Sequence, residues 1–69
     1  MTRTQQMEYV RQTYGVLADK GKRIRFTGVN PPQEGTIIRA SSGRLIVHMD
    51  GNPSNWRRSF HPTWELEYL

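Results

Sequence analysis

Apolar side chains near the start of the chain recur at Met7, Val10, Tyr14 and Leu17, a spacing that places them on one stripe of a helix. Arg3, Gln6, Arg11 and Asp19 fall largely elsewhere around it. The pattern predicts an amphipathic N-terminal helix within residues 1–20. Thr2 followed by Gln5 has the form of a capping box. Gly21 after Lys20 can supply a left-handed stop, and Gly15 is a weak point that allows an end as early as Tyr14. So short a helix is marginal alone, so its stripe must pack on the rest of the chain or on a partner.

From Lys22 the apolar period changes to two. Ile24 and Phe26 alternate with Arg23, Arg25 and Thr27, as in a half-buried strand. Gly28 to Gly35 contains Pro31-Pro32 and predicts a long, partly stiffened loop, because adjacent prolines remove ladder donors. Thr36 to Ala40 and Leu45 to Met49 are β-prone runs joined by Ser41-Ser42-Gly43-Arg44, a hairpin, with Leu45, Val47 and Met49 sharing one face. Asp50 to Asn55 is dense in turn formers, and a fourth strand is expected over Trp56 to Phe60. His61-Pro62-Thr63-Trp64 predicts a tight turn before a last strand at Glu65 to Leu69. The expected fold is one mostly-β domain, a short helix followed by a five-stranded antiparallel barrel over residues 22–69.

Composition narrows what such a domain does. A chain of 69 residues hides only about 60% of its extended-chain surface on folding, which leaves little room for a deep substrate cavity. There is no cysteine, and His48 and His61 lack thiolate or carboxylate neighbours at ligand or catalytic spacing, so neither a metal, a cofactor nor an enzyme is expected. Glu65 and Glu67, alternating with Leu66 and Tyr68, belong to the solvated side of a strand. The first twenty residues lack the apolar run of a secretory signal, and the expected location is cytoplasmic, without membrane attachment. Ten Lys and Arg against six Asp and Glu give a formal charge of +4, which attracts polyanions.

Five short strands, a long first loop, a tight central hairpin and a proline-containing turn before the last strand resemble the Src-homology-3-like small barrels. Within that span, Ile24-Arg25-Phe26-Thr27-Gly28 followed by Gly35-Thr36-Ile37 is similar to the KOW segment of ribosomal and transcription-elongation proteins, with Pro31-Pro32 where those segments usually have another glycine. The resemblance implies a binding module whose ligand is RNA, DNA, a proline-rich peptide or a methylated tail. The plasmid-borne dihydrofolate reductase has a similar small barrel with a Val-Gln-Ile-Tyr strand in its pore; here the corresponding stretch reads Trp56-Arg57-Arg58-Ser59-Phe60, which does not carry that activity over.

Nucleic acid, RNA or DNA, is the first expected partner. Lys20, Lys22, Arg23 and Arg25 form the densest basic feature, and in a strand Arg23 and Arg25 share the face opposite Ile24 and Phe26, where guanidinium forks match phosphate oxygens. Trp56-Arg57-Arg58 sets an aromatic beside two guanidiniums; Trp56 is either core with Phe60, covered by the Arg58 stem, or exposed for base stacking. Arg39 and Arg44 flank the hairpin tip and extend the same surface. The expected contacts are thus Lys22, Arg23, Arg25, Arg39, Arg44, Arg57 and Arg58. The alternative is a protein-interaction module that uses the helix stripe or an aromatic rim of Tyr9, Tyr14, Trp64 and Tyr68, or self-association through edge strands.

Overall fold

The computed structural model describes residues 2–53 and 56–69. The first element is α1 (Arg3–Tyr14), and the capping box expected at its start is formed in both directions. Thr2 Oγ1 accepts from the Gln5 N–H at 3.2 Å, and the Thr2 N–H donates to Gln5 Oε1 at 2.8 Å. The helix stops at the earlier of the two expected positions, because Gly15 adopts φ +65° and its N–H turns back to the Arg11 carbonyl. Leu17 therefore lies beyond the helix and is 76% exposed, whereas Ala18 joins Met7 and Val10 in the core, which corrects the expected stripe.

Five strands follow: β1 (Arg23–Phe26), β2 (Gln33–Ser41), β3 (Arg44–Met49), β4 (Arg58–Phe60) and β5 (Leu66–Tyr68). They form one antiparallel sheet in the order β4-β3-β2-β1-β5, a meander whose last strand returns beside the first. The β2–β3 connection is a two-residue loop. Ser42 and Gly43 take φ of 53° and 77° between the paired Ser41 and Arg44, the primed turn that matches strand twist.

Strand β2 starts at Gln33, earlier than the expected Thr36, so the β1–β2 loop is shorter than residues 28–35. Gln33, Glu34 and Gly35 pair with Phe26, Arg25 and Ile24. Gly35 is required there by close packing, since a Cβ would sit 2.8 Å from the His48 carbonyl oxygen. Farther along β2 the register shifts, Ile37 facing Val47 and Arg39 facing Ile46, so Ile38 is the extra residue of a β-bulge. The bulge lets Ile37 and Ala40, three positions apart, both reach the core.

The sheet is curled. Neighbouring strands lie about 4.8 Å apart, so β1 and β4 would be roughly 14 Å apart in a flat sheet, yet the Phe26 and Phe60 ring centroids are 4.9 Å apart. The interior is filled by Ile24, Ile37, Leu45, Val47, Met49 and Phe60, with Met7 and Val10 of α1 against β2. Tyr68 secures the last turn by donating from Oη to the carbonyl of buried Pro62 at 2.7 Å, and burial pushes its phenol up to about 12. β4 is shorter than the expected run from Trp56, and of the expected Asp50–Asn55 turn, Ser54 and Asn55 lie outside the described residues. Among the described residues no helix is long and apolar enough to cross a membrane.

Candidate functional site

The expected inward and outward register of β1 is present. Ile24 is fully buried, Phe26 packs against the core, and Arg23 and Arg25 point outward. What surrounds those arginines differs from a uniformly basic face. Because β2 begins early, Glu34 stands opposite Arg25, and its two oxygens lie 3.4 Å from Arg23 Nη2 and 3.4 Å from Arg25 Nη2. Arg23 also forks onto Asp50, with Nη1 2.8 Å from Oδ1, and donates to Thr36 Oγ1. Glu67 of β5 lies 3.7 Å from Arg25. Two guanidiniums thus meet three carboxylates, which accompany the outward-facing arginines expected on β1.

The electrostatic consequences follow from the contacts. Hydrogen bonding by Asp50, with attraction from Asp50 and Glu34, raises the Arg23 guanidinium above its ordinary value, while the Arg23 hydrogen bond holds the Asp50 carboxyl below the usual carboxylate range. Both groups are solvated, so the network orders the surface more than it strengthens the fold.

With half of the chain's acids placed there, the other eight basic residues face only Glu8, Asp19 and Glu65. Four of those cations converge between α1 and β2. A cleft of about 210 Å³ is lined by Arg3 and Arg11 of the helix, Lys20 of the following loop and Arg39 of the bulge, with Met7 and Ile38 as its apolar wall. Asp19 is its one carboxylate. Arg11 answers it, with Nη1 3.5 Å from Asp19 Oδ1 and donating to the Ala18 carbonyl at 3.1 Å. The same Asp19 oxygen accepts the Lys20 N–H at 2.8 Å. Among the described residues Arg3, Lys20, Lys22 and Arg39 have no ion pair.

The remaining expected contacts are dispersed. Lys22 borders a shallow depression with Arg11 and Asp19 next to the cleft. Arg44 donates from Nε to Ser59 Oγ across the outer side of β3 and β4. Arg58 turns to the other side, its guanidinium carbon 5.7 Å from the Phe26 ring centroid and 5.3 Å from that of Phe60. Arg57 donates to the Trp56 carbonyl. Of the two placements open for Trp56, it takes the exposed one, at 60%, and Trp64 is 72% exposed, its ring stacked on His61 at 5.0 Å. Tyr14 meets the same imidazole edge-on.

Arg3 and Arg11 were not singled out as basic contacts, and Lys20 was named in the basic run but left out of the expected contacts, although part of the signal was present. Arg3, Met7 and Arg11 are four residues apart in sequence and so lie along one side of a helix. Compared with known proteins, the chain matches no family model, no curated protein and no solved structure.

Proposed function

We propose that this protein is a small, non-enzymatic, cytoplasmic binding domain that engages nucleic acid through backbone phosphates, with little reading of sequence. The observation that carries the proposal is the uneven charge distribution. Half of the acids gather on Arg23 and Arg25, and the excess of positive charge is left to the rest of the surface, where Arg3, Lys20 and Arg39 converge with no ion pair among the described residues. Arginine and lysine in such a setting release counterions from a phosphate backbone, which gives affinity that falls steeply with salt. The tight Ser42-Gly43 hairpin, the curled five-stranded antiparallel sheet and the Pro62 turn before β5 support a Src-homology-3-like barrel. Gly35, packed beside β1, supports the KOW-like character of that segment.

Titration with duplex DNA, single-stranded DNA and RNA at low and moderate salt tests the proposal. Binding at low salt that weakens several orders of magnitude by moderate salt is expected, and no binding to any of the three at low salt overturns it. A second reading, a protein-interaction module, draws on the exposed Trp56 and the Trp64–His61–Tyr14 stack. A protein partner captured after nuclease treatment and retained at high salt favours that reading.

A further inference from the structure

The cleft between α1 and the β2 bulge differs from a surface built only to follow a nucleic-acid backbone, because its cations come from three separate elements and close on one small volume. Arg3 enters from the first helical turn, Lys20 from the loop before β1, and Arg39 from the bulge. An internal phosphodiester carries one negative charge and continues into sugar on both sides, so it fits an open track. A terminal phosphate monoester carries about −1.5 to −2 charges at neutral pH, presents three acceptor oxygens and is attached on one side only. We propose that this cleft is a phosphate-monoester site that holds the phosphorylated end of a nucleic-acid strand, a proposal that rests on the nucleic-acid reading above.

The surroundings fit that role. The bulge inserts Ile38, so Arg39 leaves the alternation of β2 and lines the cleft together with it. Asp19 would repel an anion if left alone, but Arg11 and the Lys20 N–H already engage its Oδ1. Arg3, Lys20 and Arg39 then offer one cationic group for each of the monoester's three oxygens, and together they exceed its charge of about −1.5 to −2. Among the described residues the Arg3, Lys20 and Arg39 side chains have no ion pair to give up. The apolar wall of Met7 and Ile38 keeps water from one side, which strengthens charge pairing inside the cleft.

The test compares one oligonucleotide sequence with a 5′-phosphate, a 3′-phosphate or hydroxyls at both ends, and adds the corresponding mononucleotide, all by fluorescence anisotropy or calorimetry on the full chain. At least one phosphorylated form is expected to bind about tenfold tighter than the hydroxyl form. That ratio should fall to about one in Lys20→Ala and in Arg39→Ala, and persist in Arg23→Ala. Lys20 is an exposed loop residue, so its substitution keeps the test independent of folding. Equal binding of all three oligonucleotides overturns the monoester site while leaving the nucleic-acid reading intact. Tight binding of the mononucleotide with no binding of any oligonucleotide overturns that reading and the strand-end assignment. No binding of any probe overturns both proposals.

Discussion

Two parts of the molecule gather cations, the outer side of β1 and the cleft beside α1, and they differ in the acids brought to them. On β1, Arg23 and Arg25 receive Glu34 from the next strand, Asp50 from the end of β3 and Glu67 from β5. In the cleft, Arg3, Lys20 and Arg39 meet one carboxylate that is already engaged by Arg11. The densest basic run in the sequence is divided by the fold: Arg23 and Arg25 are neutralised on β1, while Lys20 lines the cleft and Lys22 borders it. A run of arginines in sequence reports charge along one strand, whereas binding depends on charge summed over neighbouring strands.

If β1 serves mainly to hold the fold, its inward residue should matter most. Ile24→Ala removes a fully buried side chain and is expected to cost about 2–5 kcal/mol, a large part of the stability of a domain this small, read as a drop in thermal midpoint by circular dichroism. A midpoint within a few degrees of the parent would deny β1 that role.

Glu34→Ala takes away the carboxylate shared by Arg23 and Arg25 and leaves those two guanidiniums beside two carboxylates, Asp50 and Glu67, so the local excess of negative charge is lost. Affinity for nucleic acid is expected to rise roughly threefold at low salt, with a steeper salt dependence. Unchanged affinity would show that the network does not mask those arginines.

Smaller effects separate structural from binding groups by pH. Tyr68 has its phenol raised to about 12 by burial, so the folded state holds the proton longer than the unfolded chain does. Its contribution is complete below pH ~10 and is lost as pH rises toward 12. Tyr68→Phe should remove that alkaline loss while costing about 0.5–1.5 kcal/mol at neutral pH for the bond to Pro62; an identical alkaline profile in the variant would exclude Tyr68 as its source. Asp50 has the opposite sign. Its folded carboxyl is held low by Arg23, so its contribution is present above the usual carboxylate range and disappears as pH falls below about 4. Arg23→Ala should flatten this small acid-side slope in a pH series of thermal midpoints, and an unaltered slope would assign it to another carboxylate.

Much of the fold was legible in the sequence. The capping box, the period-two runs and the Ser42-Gly43 turn are local signals, and each led to the element observed. The parts that were not legible depend on pairing between distant residues. Pro31-Pro32 made the whole stretch to Gly35 look like loop, but the prolines lie before the ladder and Gln33 to Gly35 lie within it. That shift of the strand start conceals Glu34, the acid between the two arginines. The bulge at Ile38 breaks strict alternation and sends Arg39 toward α1, a displacement visible only once β3 supplies the register. Trp56 followed the alternation of Arg58 and Phe60 in sequence, yet β4 starts after it, leaving its indole outside the core.

Whether phosphate contacts belong to the cleft and not to β1 is decided by salt-dependent binding of one oligonucleotide to two double variants. Lys20→Ala/Arg39→Ala should make the slope of log affinity against log salt shallower by roughly 1.5, as expected for two lost phosphate contacts, while Arg23→Ala/Arg25→Ala should leave the slope at the parent value. The reverse result, a shallower slope only when the β1 arginines are removed, would contradict the assignment to the cleft.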